Sequence, residues 1–341
     1  MNTVCNLTCY EGKTILVTGA TGLIGRTVVY NLLKWNQKAS KPIQVIAFIR
    51  DKIKAEQVFA SYLCPHLRFI TADIHGLEIV DMGIDYIIHG ASQTASKAFM
   101  EEPVETIMTA VMGTKNMLEL ARINKVAGFI YLSSMEVYGN PTTDEKIDEE
   151  YVTNLNTMHV RTCYPESKRM CENLCASYAS EYGVPAKVIR LTQTFGPGVE
   201  YNDGRIFAEF ARCVIEGRDI MLNTKGKTKR NYLYTEDAVR AILKVLKEGC
   251  VGEAYNAANE NTYCTIYEMA CMVKNICADH KINVIIREDV DISNFGYAPT
   301  LKMNLDTRKL KGLGWEANVE LKEMFVRMIE DMKKAHRGYF S

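Results

Sequence analysis

In the segment RTCYPESKR, Tyr164 and Lys168 stand four residues apart, so a helix would bring the lysine ammonium near the phenol. A positive neighbour favours phenolate, and a tyrosine that ionises near neutrality can take a proton from a hydroxyl. Composition alone yields about one or two Tyr-x-x-x-Lys spacings in such a chain, so the pair gains meaning only from its position. It lies about thirty residues after YLSSMEVYG, Tyr131 to Gly139, where Ser133, Ser134, Met135 and Glu136 crowd the end of an apolar run. Hydroxyls and a carboxylate are costly to bury idle, so this group should be paired or at work. Pro165 fits only a first helical turn, which starts a helix around Tyr164.

A second cluster is TILVTGATGLIGRTVV, with Gly19, Gly22 and Gly25 between an apolar run and a helical pattern. Glycines there permit a tight turn, close approach of backbone to a pyrophosphate, and packing of helix on strand, while the helix N-terminus attracts the anion. A plain structural turn is the simpler alternative, but the strand before and the helix after supply the context of a dinucleotide site. The next apolar run, QVIAFI, ends at Ile49 and is followed by Arg50, Asp51 and Lys52. An acidic residue there holds a free ribose, whereas arginine suits a 2'-phosphate; Arg50 leans toward NADP and Asp51 keeps NAD open. Asp73 in TADIHG is a candidate for the adenine amino group, or a helix cap.

The elements that must position these residues alternate. TILV, QVIAFI, LRFIT, YIIHG, GFIYL and AKVIRL are short apolar runs separated by helical stretches, the sequence form of a parallel sheet wound by crossover helices. The first helix starts near Gly25 and carries Val28, Leu32 and Leu33; another spans Glu105 to Arg122, with Ile107, Val111, Leu118 and Leu120 set to meet the sheet. After Arg190 the glycines and Pro197 break this rhythm, and residues 191–341 read mainly as a smaller substrate domain behind a cofactor domain of residues 1–190, with part of the chain free to return to the first. NYLY, Asn231 to Tyr234, reads as a strand there. Leu321, Met324, Phe325, Met328, Ile329 and Met332 form a helical stripe that reads as packing.

Lysine plus arginine equals aspartate plus glutamate, 41 each in 341 residues, which gives no reason to expect nucleic acid or an anionic membrane as partner. No apolar run reaches membrane-spanning length, and MNTVCNLTCYEGK lacks the features of a signal peptide, so the expectation is a cytoplasmic protein. The 11 cysteines include no CxxC and read as buried free thiols; Cys171 and Cys175 share a helical face, but no further ligands complete a metal site.

As a set, TGATGLIG, HGAS, GTKNMLELA, SSMEVYG, YPESK, RLTQTFGPG, RNYLYTEDAV, YNAANE and DTRKLKGLGW resemble the extended short-chain dehydrogenase/reductase family, in its nucleotide-sugar branch of epimerases, dehydratases and decarboxylases. The resemblance covers nearly the whole chain and looks most like the UDP-glucuronate decarboxylases. It implies an α/β fold, a Rossmann-like doubly wound parallel sheet with a smaller C-terminal α/β substrate-binding domain. It implies Tyr164 as base, Lys168 on the nicotinamide ribose and lowering the tyrosine's pKa, Ser134 on the reacting oxygen, and Glu136 as base or sugar ligand. Cofactor contacts would come from Gly19, Thr21, Gly22, Leu23, Ile24, Gly25, Arg50, Asp73, Ile74 and Ala91, besides Tyr164 and Lys168. Gln93, Thr94, Gln193, Arg205 and Arg230 would bind a UDP-, dTDP- or CDP-linked sugar, Arg230 through its diphosphate. The resemblance also implies a homodimer formed through the helices near Ala110 to Arg122 and Ser167 to Tyr182.

Three departures stand out. Ala110 replaces the asparagine of N-x-x-G-T, Gln193 replaces the asparagine of R-x-x-N-x-Y-G-P, and Met135 stands where the dehydratases carry an acid and the decarboxylases commonly a serine. Methionine cannot serve as acid or base, which weighs against 4,6-dehydration. The expected function is therefore C4 oxidation followed by epimerisation or decarboxylation and hydride return. Alternatives are an NADPH-dependent reductase of a nucleotide-linked keto sugar and a non-catalytic NAD(P)-binding protein.

Overall fold

The structure is a computed structural model that describes residues 6–76, 79–277, 282–287 and 300–337. The six apolar runs form β1 (Thr14–Thr18), β2 (Gln44–Ile49), β3 (Leu67–Thr71), β4 (Tyr86–His89), β5 (Gly128–Ser134) and β6 (Ala186–Leu191). Between and beyond them run α1 (Leu23–Trp35), α2 (Lys52–Val58), α3 (Ser96–Glu101), α4 (Pro103–Ile123) and α5 (Cys163–Tyr182). After β6 come β7 (Gln193–Phe195), α6 (Ile206–Glu216), β8 (Ile220–Leu222), β9 (Lys229–Tyr234), α7 (Thr235–Glu248), β10 (Ala254–Ala257) and β11 (Asn259–Thr265). The chain ends through α8 (Ile266–Cys277), β12 (Val284–Ile286), β13 (Lys302–Met303), α9 (Arg308–Lys311) and α10 (Leu321–Arg337).

The main sheet has seven strands in the order β10-β6-β5-β4-β1-β2-β3, with every pairing parallel. Strand order reverses between β1 and β4, and ligands of such sheets bind outside the carboxyl ends of the strands at that switch. One face is covered by α1 and α7 through Val28, Leu32, Val239, Ile242 and Leu246, the other by α4 and α5 through Met117, Leu118, Cys171 and Cys175. Both faces are therefore dry, which is why the strands read as continuous apolar runs.

The seventh strand comes from beyond residue 190: α7 and β10 return to the sheet, and β10 pairs with β6. Around them a second core gathers Phe195, Phe207, Phe210, Tyr232, Met269 and the α10 stripe Met324, Phe325, Met328 and Met332. It is roofed by a small sheet in the order β11-β9-β13, with β7 also pairing with β9, and by the pair β12-β8.

Three local expectations change. Ile107 is 39 % exposed and Val111 only half-buried, because the sheet-facing stripe of α4 runs through Ala110, Gly113, Met117 and Leu120. The first helix begins at Leu23, with Gly22 as its cap. The described cysteine side chains are free, but only Cys163, Cys171, Cys175 and Cys213 are buried, while Cys9 on a short 3-10 helix and Cys64 and Cys250 on loops are exposed.

Candidate active site

The turn after β1 is shaped by close backbone contact. A Cβ on Gly25 would stand 2.2 Å from the Gly19 carbonyl oxygen, and one on Gly19, where φ is +65°, would stand 2.8 Å from the Gly90 backbone. Only glycine fits at both positions. Thr21 and Gly22 lie on the turn's rim; Leu23 packs into the second core and Ile24 against the first, so the start of α1 is held from both sides. Its free N–H groups and the bare backbone beside them suit a pyrophosphate, so these residues fit a dinucleotide.

At the end of β2, Asp51 is committed elsewhere: its carboxylate accepts the Lys54 N–H at 3.0 Å and caps α2, leaving Arg50 exposed at the strand end. Asp73 accepts the His75 N–H at 3.0 Å, capping its own turn rather than a helix. Asn116 on α4 donates to the Ile74 and His75 carbonyls and fixes this loop, a role no motif flagged. Ala91 is held through its N–H, which donates to the Thr18 hydroxyl.

The two serines of β5 divide their work. Ser133 donates to Glu172 at 2.5 Å, and Glu172 is in turn clamped by Arg190, so this hydroxyl is structural. Ser134 ends the strand, accepts the Glu136 N–H, and lies beside the Tyr164 hydroxyl. Met135 turns away into a satellite core with Leu301, Met303 and Leu305. Its residue type follows from that packing.

Tyr164 and Lys168 lie in the first turns of α5, both buried. Burial pushes the Tyr164 phenol well above its usual range, and the Glu136 carboxylate pushes the same way; the Ser134 hydroxyl and the cations Arg161 and Arg205 pull it down, so the expected lowering of the phenol by Lys168 is not met. Lys168, whose Nζ is 5.7 Å from the Tyr164 ring centroid, donates to the Leu132 carbonyl at 2.8 Å and is depressed by burial to about 8.

Two side chains here were missed by motif reading. Phe99 on α3 stacks on the Tyr164 ring with centroids 4.4 Å apart and planes at 17°. Arg161 lies over Phe99 at 4.8 Å and pairs with Glu136 at 2.9 Å, so Glu136 is an ion-pair partner as it stands. Arg161 had a faint signal, its place three residues before the tyrosine. Phe99 had none.

Of the residues expected to bind substrate, Arg205 forks onto Asp203, and Gln93 accepts from the Thr94 backbone. Arg230 on β9 and Gln193 on β7 each keep a buried polar atom, Nε and Oε1, with no hydrogen-bond partner. Such orphans are costly unless a ligand meets them. Among the described residues no three His, Cys, Asp or Glu side chains converge to hold a metal, and no helix is long and apolar enough to cross a membrane.

A doubly wound sheet with a glycine turn at its switch point and a Tyr/Lys pair on the facing helix defines a dinucleotide-dependent class of enzyme. The sequence profile of the NAD dependent epimerase/dehydratase family matches residues 15–258, and the chain belongs to that family. UDP-glucuronic acid decarboxylase 6 of Arabidopsis thaliana is 31% identical over 323 residues, covering 94% of this chain and 88% of the relative. In fold, UDP-glucose 4-epimerase of Thermotoga maritima, solved with UDP-glucose, is similar with a TM-score of 0.78 at 24% identity, covering 95% of this chain and 99% of the other. UDP-glucuronic acid 4-epimerase of Bacillus cereus, solved with UDP-glucuronic acid and NAD, is similar at 0.78 and 20%, covering 94% and 99%.

Proposed function

We propose that the protein modifies a nucleotide-linked sugar by a redox-neutral route, oxidising C4, allowing epimerisation or decarboxylation of the 4-keto sugar, and returning the hydride. The observation that supports this reading is the Ser134 hydroxyl beside the Tyr164 phenol, with Lys168 one helical turn on and bonded to the Leu132 carbonyl of the same strand. A bound NAD(P) supplies the hydride acceptor and donor. Tyr164 takes the C4 hydroxyl proton, Ser134 orients that oxygen, and Lys168 would hold the ribose of the cofactor. Arg230 and Gln193 offer their unpaired atoms to the diphosphate and sugar. The UDP-linked sugars named for these relatives support a UDP-linked substrate, with dTDP and CDP in the same chemical class. Met135, committed to packing, leaves no acid there to expel a C6 hydroxyl, which favours epimerisation or decarboxylation over dehydration.

One observation favours a second reading, an NADPH-dependent reductase. Arg50 stands free at the ribose end while Asp51 is spent on its helix cap. Mass spectrometry of the nucleotide released on denaturing the purified protein separates the two. Stoichiometric retained NAD supports a cofactor that recycles in place; an empty site that prefers NADPH over NADH overturns it.

The partner that fits α4 is a second copy. Val104, Met108 and Met112, spaced by four, are exposed with Ile107, and Met170 and Tyr182 of α5 are exposed as well. Met108→Glu is expected to halve the mass measured by light scattering; an unchanged mass contradicts this interface.

A further inference from the structure

Behind Ala91 and Lys168, four side chains with no part in the proposed chemistry, Thr18, His89, Thr114 and Cys171, are all fully buried. The Thr18 hydroxyl oxygen accepts the Gly90 and Ala91 N–H groups at 3.1 and 3.0 Å, so its own proton is directed to His89 Nδ1 at 2.7 Å. That fixes the imidazole as the Nε2–H tautomer, which donates to the Thr114 hydroxyl at 3.1 Å. Thr114 is left with its proton free for the Cys171 sulfur beside it, and the Cys171 thiol donates to the Ala110 carbonyl at 3.3 Å. Every donor points the same way, from the loop at Ala91 through β1, β4 and α4 to α5.

The chain begins on amide N–H groups and ends on a backbone carbonyl, so it does not reach solvent and cannot deliver protons. Its physical effect is alignment: polarised in one direction, it links the loop at Ala91 to the helix that carries Tyr164 and Lys168. Cys171 lies three residues from Lys168 on α5, and the ring of buried Tyr131, whose hydroxyl finds no hydrogen-bond partner, lies 4.7 Å under Lys168 Nζ. The thiol-to-carbonyl bond also makes a link between α4 and α5 at Ala110, where the resembling family carries an asparagine.

We propose that Thr18, His89, Thr114 and Cys171 form a positioning relay that couples dinucleotide binding at Ala91 to the placement of Lys168 and Tyr164, with Cys171 as its anchor on the catalytic helix. This inference rests on the dinucleotide site described above. If it holds, adding NADH or NADPH to the wild-type protein shifts a cysteine S–H stretching band in the infrared difference spectrum, and that feature is lost in Cys171→Ser. Cys171→Ala weakens the binding of the same nucleotide about 3- to 10-fold, the effect of one buried hydrogen bond. Cys171→Ser, which keeps a donor, restores most of it, and Thr114→Val reproduces the loss. Wild-type protein that binds nucleotide with no change in the Cys171 band overturns the relay and leaves the active-site reading intact. Wild-type protein that binds neither nucleotide overturns both.

Discussion

The two sides of the proposed site, the one assigned to the cofactor and the one assigned to the sugar, are built from different materials. Around Gly19, Gly25, Gly90 and Ala91 the shape is set by backbone meeting backbone, with contacts so close that single Cβ atoms would break them. On the side assigned to the sugar the shape is set by long side chains: Arg161 on Glu136, Arg205 on Asp203, and Arg230 and Gln193 with atoms left open. Backbone-built sites demand particular residue types at fixed spacing, so they leave motifs. Side-chain sites depend on which partner each group finds in three dimensions, which a sequence does not display.

The largest effect that sharpens this contrast is expected at the junction of the two halves. Tyr164→Phe removes the base, and hydride transfer from the preferred sugar nucleotide should fall by about 10²–10⁴-fold with the fold intact by circular dichroism. Full activity in that variant would remove the tyrosine from the chemistry.

Gly25→Ala tests the backbone-built half. The added methyl must displace the Gly19 carbonyl, and NADH affinity by calorimetry should weaken about 10- to 100-fold. Unchanged affinity would mean that the turn does not touch the cofactor. A side chain on that same half gives a smaller and more selective change: Arg50→Ser should cut the NADPH/NADH affinity ratio about 10-fold while sparing NADH. Equal effects on both cofactors would place Arg50 away from the 2'-position.

The smallest expected effect is thermodynamic. Burial lowers the Lys168 pKa from 10.5 to about 8, so below about pH 8 folding must bury a charge that the unfolded chain keeps in water. Between about 8 and 10.5 the unfolded state holds the proton and the native state does not, so this residue's contribution to stability rises with pH across that window. The cost below it is about 3 kcal/mol. Lys168→Met should therefore melt about 4 °C higher than wild type at pH 7, an advantage that shrinks by pH 10, even as turnover is lost. A lower melting temperature at pH 7 would show that the Leu132 hydrogen bond outweighs the buried charge.

The same contrast explains what could be read in advance. The six strands were legible because a sheet covered on both faces forces unbroken apolar runs, and the α10 stripe because helical spacing exposes it. Strand β10 was harder: Ala254–Ala257 is short, and its place beside β6 is fixed by α7 packing against the sheet rather than by its own pattern. Ile107 was misplaced because the apolar residues of α4 extend onto its outer face. At the site, Ser134 could not be told from Ser133 by type; the strand's alternation and Glu172 separate them. Phe99 carried no signal, since its contact with Tyr164 joins segments far apart in the chain.

The most direct test of the central claim follows one atom. Incubating the protein and its cofactor with a panel of UDP-, dTDP- and CDP-linked sugars carrying deuterium at C4, then analysing products by mass spectrometry and NMR, reports where the hydride goes. A product that is epimerised or has lost carbon dioxide, with deuterium still at C4 and no net change in cofactor, is the predicted result. Stoichiometric consumption of NADPH by a keto sugar, with no reaction of the deuterated sugars, would contradict it and identify a one-way reductase.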